Sequence, residues 1–439
     1  MTCVENTYVQ LITPPSTPSQ RSKTPPASHP TTPFLPPHSL VFASPCPTPM
    51  SSPSRKRHKT MSSSASEPIP SEPVPSYVVP DLVIDGSSGE GGGQVLRLSL
   101  SLAAILSRHV RVTDIRGNRL VPGLQAQHVA AVNLVADVSN ASLVDACEGS
   151  QAIELLTPRP RTDPAHLPFL AAVSTAGATA LVLQAALPPA LKFLPGGSTV
   201  AMRLTGGTTA MYAPPSDYVQ KVLVPNLRLF GVDLRFDVVK HGFFPRGGGQ
   251  IDVSFDKKGC QAVEGKDAVC VLNPIELTEK GTLLSIEGEL VVSGYDYVVS
   301  GVVEEMALAA VKEITSQLGY VKVTAPFRRR HITIKEVSKT STSGKCLCLT
   351  LFARFSNGSV MGSNVLWSEQ QAAQRKDWAM LKKSRRMTYK DKLRFWRESV
   401  SSAATEAAKR LCDTIGTEAA VDEYMADQLV DPAGNEIGQ

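Results

Sequence analysis

DGSSGEGGGQVLRLSLSLAAILSRHVRVTDIRGNRLVPGLQAQH, residues 85–128, decides the fold. Five glycines fall within the eight residues from Gly86 to Gly93, with Glu90 among them. Val95, Leu98, Leu102, Ile105 and Leu106 follow at helical spacing, which predicts a helix over 94–107. Glycines ahead of a helix let backbone N–H groups approach an anion closely, and the helix N-terminus adds a favourable dipole. Arg97 stands in the first turns; Arg116, Arg119, a turn at Pro122-Gly123 and the pair Gln127-His128 come next. Guanidinium groups and backbone amides together make phosphate-binding chemistry. A glycine loop taken alone is more often a plain turn.

The surroundings read as alternating strands and helices. Residues 78–84 and 109–115 predict strands, 124–138 a helix, and 142–147 with 151–156 two more strands, a βαβαββ-like unit. A further unit follows: a helix over 175–187, a strand over 198–205, a helix over 216–230, and strands over 232–239 and 249–255. Gly-Gly-Gly-Gln at 247–250 echoes the same four residues at 91–94. Residues 257–353 read as a separate α+β insert, with strands at 269–273, 282–292 and 345–353 and a helix at 300–318. Residues 354–439 return to the first domain, with a helix over 400–415.

Residues 1–77 are a different polymer. They hold 17 of the 33 prolines, five Thr-Pro pairs and two Ser-Pro pairs, and are expected to be a disordered tail. Arg55-Lys56-Arg57-His58-Lys59 within it is a candidate nuclear import signal, and a nuclear location is the expectation. Formal net charge is +5, too mild to argue for nucleic acid except locally. One such place is 367–399, which holds all three tryptophans and ten Lys or Arg against four Asp or Glu. Basic residues among aromatics can stack on bases, and an RNA-binding segment and an inserted loop are both open. Arg328–Arg330 is a weaker candidate for RNA contact. The eight scattered cysteines show no Cys-x-x-Cys and are expected to be reduced. No apolar run reaches the ~18–20 residues of a membrane span, no Walker-type phosphate loop is present, and nothing asks for an obligate protein partner.

In order, the chain carries DGSxGEGGGQ-x2-R, IRGNR, PGLxxQH, STAGATALVLQAALP (174–188), LTGGTTAMYAPPSDY (204–218), HGFFPRGGGQ (241–250) and DEYMADQL (422–429). This series resembles the RNA 3′-terminal phosphate cyclase family, from Val79 to Leu429. The resemblance implies an α+β fold: a large domain of repeated βαβαββ units, like the C-terminal domain of a bacterial translation initiation factor, with a small insert domain. It implies ATP-dependent conversion of an RNA 3′-phosphate to a 2′,3′-cyclic phosphate through protein-AMP and RNA-adenylate stages. It places a divalent metal, Mg or Mn, near Glu90, and ATP at Gln184 and the run Tyr424, Met425, Ala426, Asp427, Gln428. Arg97, Arg116, Arg119 and Gln127 are the candidates for RNA phosphate contacts. The family's nucleophilic histidine lies beyond the ADQL motif. None of the eight histidines here occupies that position, and the sequence given ends ten residues after Leu429. The catalytic nucleophile is therefore unknown. A truncated enzyme and a non-catalytic relative of the ribosome-assembly kind are both open.

Overall fold

A computed structural model of the chain describes residues 79–89, 91–159, 168–193, 200–256, 277–293, 301–318, 332–340, 346–372 and 388–428. The tail with its import signal, Glu90, Arg328–Arg330 and the expected strand at 269–273 lie outside the described residues. All elements below belong to the compact unit Asp81–Gln439. The fold is α+β, as the resemblance implied.

The first sheet joins β1 (Leu82–Asp85), β2 (Val110–Thr113), β4 (Ile153–Leu155) and β3 (Leu143–Val144) in the order β1-β2-β4-β3. β1 and β2 are parallel because α1 (Gly93–Leu106) makes the crossover; α2 (Ala126–Ser139) links β2 to β3. The remaining pairs are antiparallel. The second sheet repeats this plan with β5 (Phe169–Ala172), α3 (Thr179–Phe193), β6 (Val200–Gly206), β7 (Asp233–Lys240) and β8 (Gly249–Asp256), in the order β5-β6-β8-β7. Its second helix runs as α4 (Ser216–Tyr218), a π-helical stretch Val219–Leu223, and α5 (Val224–Leu229). The βαβαββ unit thus occurs twice. One core serves both, with Leu96, Leu100, Leu134 and Ile153 from the first unit and Leu183, Met202, Leu204 and Ile251 from the second.

The third sheet is arranged differently. β9 (Leu283–Ser293), α6 (Val302–Gln317) and β10 (Ile332–Thr340) form a parallel crossover, and β11 (Cys346–Phe355) and β12 (Val360–Ser368) extend it antiparallel, giving β10-β9-β11-β12. α7 (Glu369–Ala372) follows, then α8 (Tyr389–Gly416), which packs on α6, and α9 (Glu423–Gln428). The sequence reading divides insert from large domain at 353/354. Sheet and core run across that point, since β11 spans it and Val400, Ala404 and Leu411 of α8 share a core with Leu349 and Leu351.

Two of the three tryptophans are core residues. Trp367 Nε1 donates to Ser399 Oγ at 2.9 Å, and Lys392 Nζ sits 4.2 Å from the Trp396 ring centroid. Both side chains are buried and unavailable for base stacking. Trp378 lies outside the described residues. Cys346, Cys348 and Cys412 are free, as expected, whereas Cys147 is disulfide-bonded. No helix among the described residues is long and apolar enough to cross a membrane.

Candidate phosphate-binding site

The glycine loop links the C-terminal end of β1 to the start of α1. Asp85 Oδ1 accepts both the N–H (2.8 Å) and the hydroxyl (2.6 Å) of Ser87, and Asn118 Nδ2 donates to Ser87 O at 2.9 Å, tying the loop to the turn after β2. α1 opens from Gly92 with no side-chain cap on its first N–H groups. Four cationic or donor side chains gather here. Arg97 is buried, and its Nε has no hydrogen-bond partner. Burial pushes its guanidinium down to about 10. Arg119 Nη2 comes up to Gly92, and Arg97 Nη1 and His128 Nε2 come up to Gly93. A Cβ at Gly93 would overlap the His128 ring and touch Arg97, so only glycine admits both groups to the helix end.

His128 completes the cluster from the first turn of α2. Its Nδ1 accepts the Gln125 N–H at 3.0 Å, so in the neutral ring Nε2 carries the proton and faces the α1 terminus. Burial, then the charges of Arg116 and Arg97, hold its pKa down to about 4. Arg116 is half-buried, with Nη1 3.4 Å from Gly123 O; burial and the Arg119 charge lower its pKa. Three donor groups therefore crowd an uncapped helix terminus with the Arg116 charge close to His128, and among the described residues neither Arg97 nor Arg116 makes a hydrogen bond or ion pair to a carboxylate. Guanidinium and imidazole N–H groups beside a helix N-terminus match the oxygens of a phosphate.

A consequence for acid stability follows. The folded His128 pKa lies below the usual 6.5, so the folded state binds fewer protons than the unfolded state between pH 6.5 and 4, and stability falls as pH drops through that window. His128→Gln should flatten this acid limb by up to about 3 kcal/mol, read from urea unfolding at pH 4.5 and 7. An unchanged pH slope would contradict a neutral buried ring.

Gln127, one residue away, holds the loops together. Its Oε1 accepts the Ala178 N–H at 3.1 Å, which leaves only its NH2 group for an anion. Hydrogen bonds then run from loop to loop: Gly207 N–H to Gly177 O (2.8 Å), Thr208 N–H to Gly242 O (2.9 Å) and Ser216 N–H to Thr208 O (2.7 Å). Gln184 lies half-buried on α3, the helix packed against α1 and α2.

The expected nucleotide run is α9. Tyr424 is half-buried and packs edge-on against Tyr218, centroids 5.2 Å apart. Met425 is buried in the core shared by the first two sheets, so its side chain is not free for a nucleotide; Ala426 is exposed. Asp427 and Gln428 complete the helix. Asp422 caps α9 by accepting the Met425 N–H at 3.0 Å. Among the described residues, Arg97, Arg116, Arg119 and His128 form one cluster, and Gln184 and α9 stand outside it.

Sequence reasoning missed a second polar cluster between the second and third sheets. Asp217 Oδ1 lies 3.8 Å from His241 Nε2, and Lys221 Nζ lies 3.1 Å from Glu289 Oε1. Buried Ser216 Oγ, Asp217 Oδ2 and His241 Nδ1 have no hydrogen-bond partner. The polar residues in PPSD and HGFF were visible, but nothing in one sequence announces that they are buried together.

The comparisons agree with one another. The family profile described as RNA 3′-terminal phosphate cyclase matches residues 88–434. A protein of Staphylothermus marinus with that name is 31% identical over 352 residues, covering 79% of this chain and 82% of its own. One from Caldivirga maquilingensis is 32% identical over 350 residues, covering 79% and 83%, and one from Hyperthermus butylicus is 30% identical over 357 residues, covering 81% and 85%; both carry the same name.

Proposed function

The chain belongs to the RNA 3′-terminal phosphate cyclase family, and from that premise we propose that it grips an RNA 3′-phosphate at the α1 terminus and closes it to a 2′,3′-cyclic phosphate with ATP. One observation carries the reading: Arg97, Arg119 and the Nε2–H of His128 converge on an uncapped helix end, with the charge of Arg116 close to His128. A phosphate monoester is a poor electrophile, so activation by AMP must precede attack by the neighbouring 2′-hydroxyl. That attack is intramolecular, and holding the phosphate oxygens fixes its orientation, an advantage of several kcal/mol at about 25 °C. The same donors stabilise charge building on the phosphoryl oxygens as AMP departs.

ATP is assigned to α9 with Gln184. A divalent ion would neutralise its phosphates. Among the described residues no three His, Cys, Asp or Glu side chains come together to hold one, and Glu90 lies outside them, so no step is assigned to a metal here.

Each of the three described histidines is buried and engaged. His109 contacts Glu154 at 3.1 Å, His128 accepts from Gln125, and His241 faces Asp217. That observation favours a second reading, an RNA-binding relative without adenylyl transfer. Incubating the protein with α-³²P-ATP and a 3′-phosphorylated oligoribonucleotide separates the two. The first reading expects acid-labile AMP on the protein and a phosphatase-resistant RNA end. Tight binding of the 3′-phosphorylated over the 3′-hydroxyl RNA, without labelling, would establish the second. No preference for the phosphorylated end would sink both.

A further inference from the structure

α9 is short, six residues, and cannot hold its own position by helix propensity. What fixes it is a buried clasp made by residues 60 to 204 positions apart in the chain. The Tyr218 hydroxyl donates to Asp422 Oδ1, which also accepts the Met425 N–H at 3.0 Å. The other oxygen, Oδ2, accepts the Gly362 N–H of β12 at 2.6 Å. Asp422 and Tyr218 are 3% and 1% exposed, so these bonds face no competition from water. Gly362 matters to the packing: a Cβ there would lie 2.7 Å from the Tyr218 ring, so glycine lets the ring lie against β12. Tyr424 packs against the same ring edge-on, with centroids 5.2 Å apart. One carboxylate thereby ties the second unit, the third sheet and the first turn of α9 together.

We infer that Tyr218 and Asp422 are positioning residues for nucleotide binding: their clasp sets where Tyr424 and the rest of α9 meet ATP. The inference rests on the assignment of ATP to α9 made above. Neither residue needs to touch the nucleotide. Tyr218 has its hydroxyl committed to Asp422, and Asp422 has both oxygens occupied. A carboxylate is required because three N–H or O–H groups converge on it and all need an acceptor. An amide in its place offers one acceptor oxygen and turns two hydrogens toward donors.

Tyr218→Phe in the full chain tests this with least disturbance, since it keeps the ring against Gly362 and Tyr424 and deletes only the hydroxyl. The expected result is a roughly tenfold weaker Kd for ATP, with the Kd for a 3′-phosphorylated oligoribonucleotide changed less than about twofold. Asp422→Asn should enlarge the ATP effect in the same direction. Amide exchange at Met425 should quicken in both variants, because its acceptor is disturbed. A purely structural role would weaken ATP and RNA binding together, or neither. If wild-type protein binds ATP and both variants bind it equally well, the positioning role is wrong. If wild-type protein does not bind ATP, the assignment of α9 falls and the inference falls with it. Should Asp422→Asn fail to fold, Tyr218→Phe still decides.

Discussion

Replacing Arg97 with methionine is expected to weaken binding of a 3′-phosphorylated oligoribonucleotide by about a hundredfold while raising the thermal midpoint of the ligand-free protein. The two effects share one cause. Arg97 is buried at the α1 terminus without a partner for Nε, and burial alone depresses its pKa. A buried charge without a counter-ion costs the fold free energy, and an apolar side chain of similar length removes that cost. With phosphate bound, the same guanidinium makes charge-assisted hydrogen bonds worth about 1.5–3 kcal/mol, close to the loss predicted. Calorimetry of the free protein and a binding titration read the two halves separately. A lower midpoint accompanied by unchanged binding would show that Arg97 is merely structural.

Asp217→Asn is expected to stabilise the protein at pH 8 and leave it nearly unchanged at pH 4. Burial, then the neighbouring charge of Glu289, pushes the Asp217 carboxyl up to about 7 against an ordinary 3.8. The folded state therefore holds more protons than the unfolded state between those values. Stability attributable to this group is present below about pH 4 and is lost as pH rises through 7. Three units correspond to at most about 4 kcal/mol. The groups around it set this balance. Lys221 offsets Glu289 in part, and burial holds His241, 3.8 Å away, below its ordinary pKa. Urea midpoints for wild type and variant should converge in acid and separate in base. Parallel curves at all pH values would mean that Asp217 is already ionised or already paired.

Much of the fold was legible because its signals are local. The glycine run followed by apolar residues at helical spacing located α1 within a residue, Gly93–Leu106 against an expected 94–107. Where the reading failed, a distant contact overrode a local rule. The helix expected over 175–187 runs instead from Thr179 to Phe193, with Pro188 and Pro189 inside it and Pro189 and Ala190 buried. α8 begins at Tyr389 and not near 400, because Phe395 and Trp396 are core residues among basic ones, which hid the apolar face. Thr388 and Asp391 form a capping box there, a signal present in the sequence and overlooked. β10 and β12 were not anticipated, the latter because its tryptophan was read with the basic stretch.

For the site, Arg97, Arg116 and Arg119 were legible as cations beside a glycine loop. His128 was visible, but its role depends on which ring nitrogen faces Gly93, and only the fold decides that. Tyr218 and Asp422 were quoted in motifs without being connected. They are 204 positions apart, and sequence spacing says nothing about such a pair.

The core shared by the two βαβαββ units also sets a timetable for synthesis. α1 and α2 pack on α3, which starts only at Thr179, so their inner faces stay uncovered while about 40 further residues are made. At roughly 5–20 residues per second that is a delay of about 2–8 s, long enough for an exposed apolar surface to meet a chaperone. Met425 is the last buried residue of the same core to be translated. The first unit is thus the earliest to be made and among the last to be sealed, and a ribosome stalled before residue 425 would hold a nascent chain with its glycine loop and arginines made and its core still open.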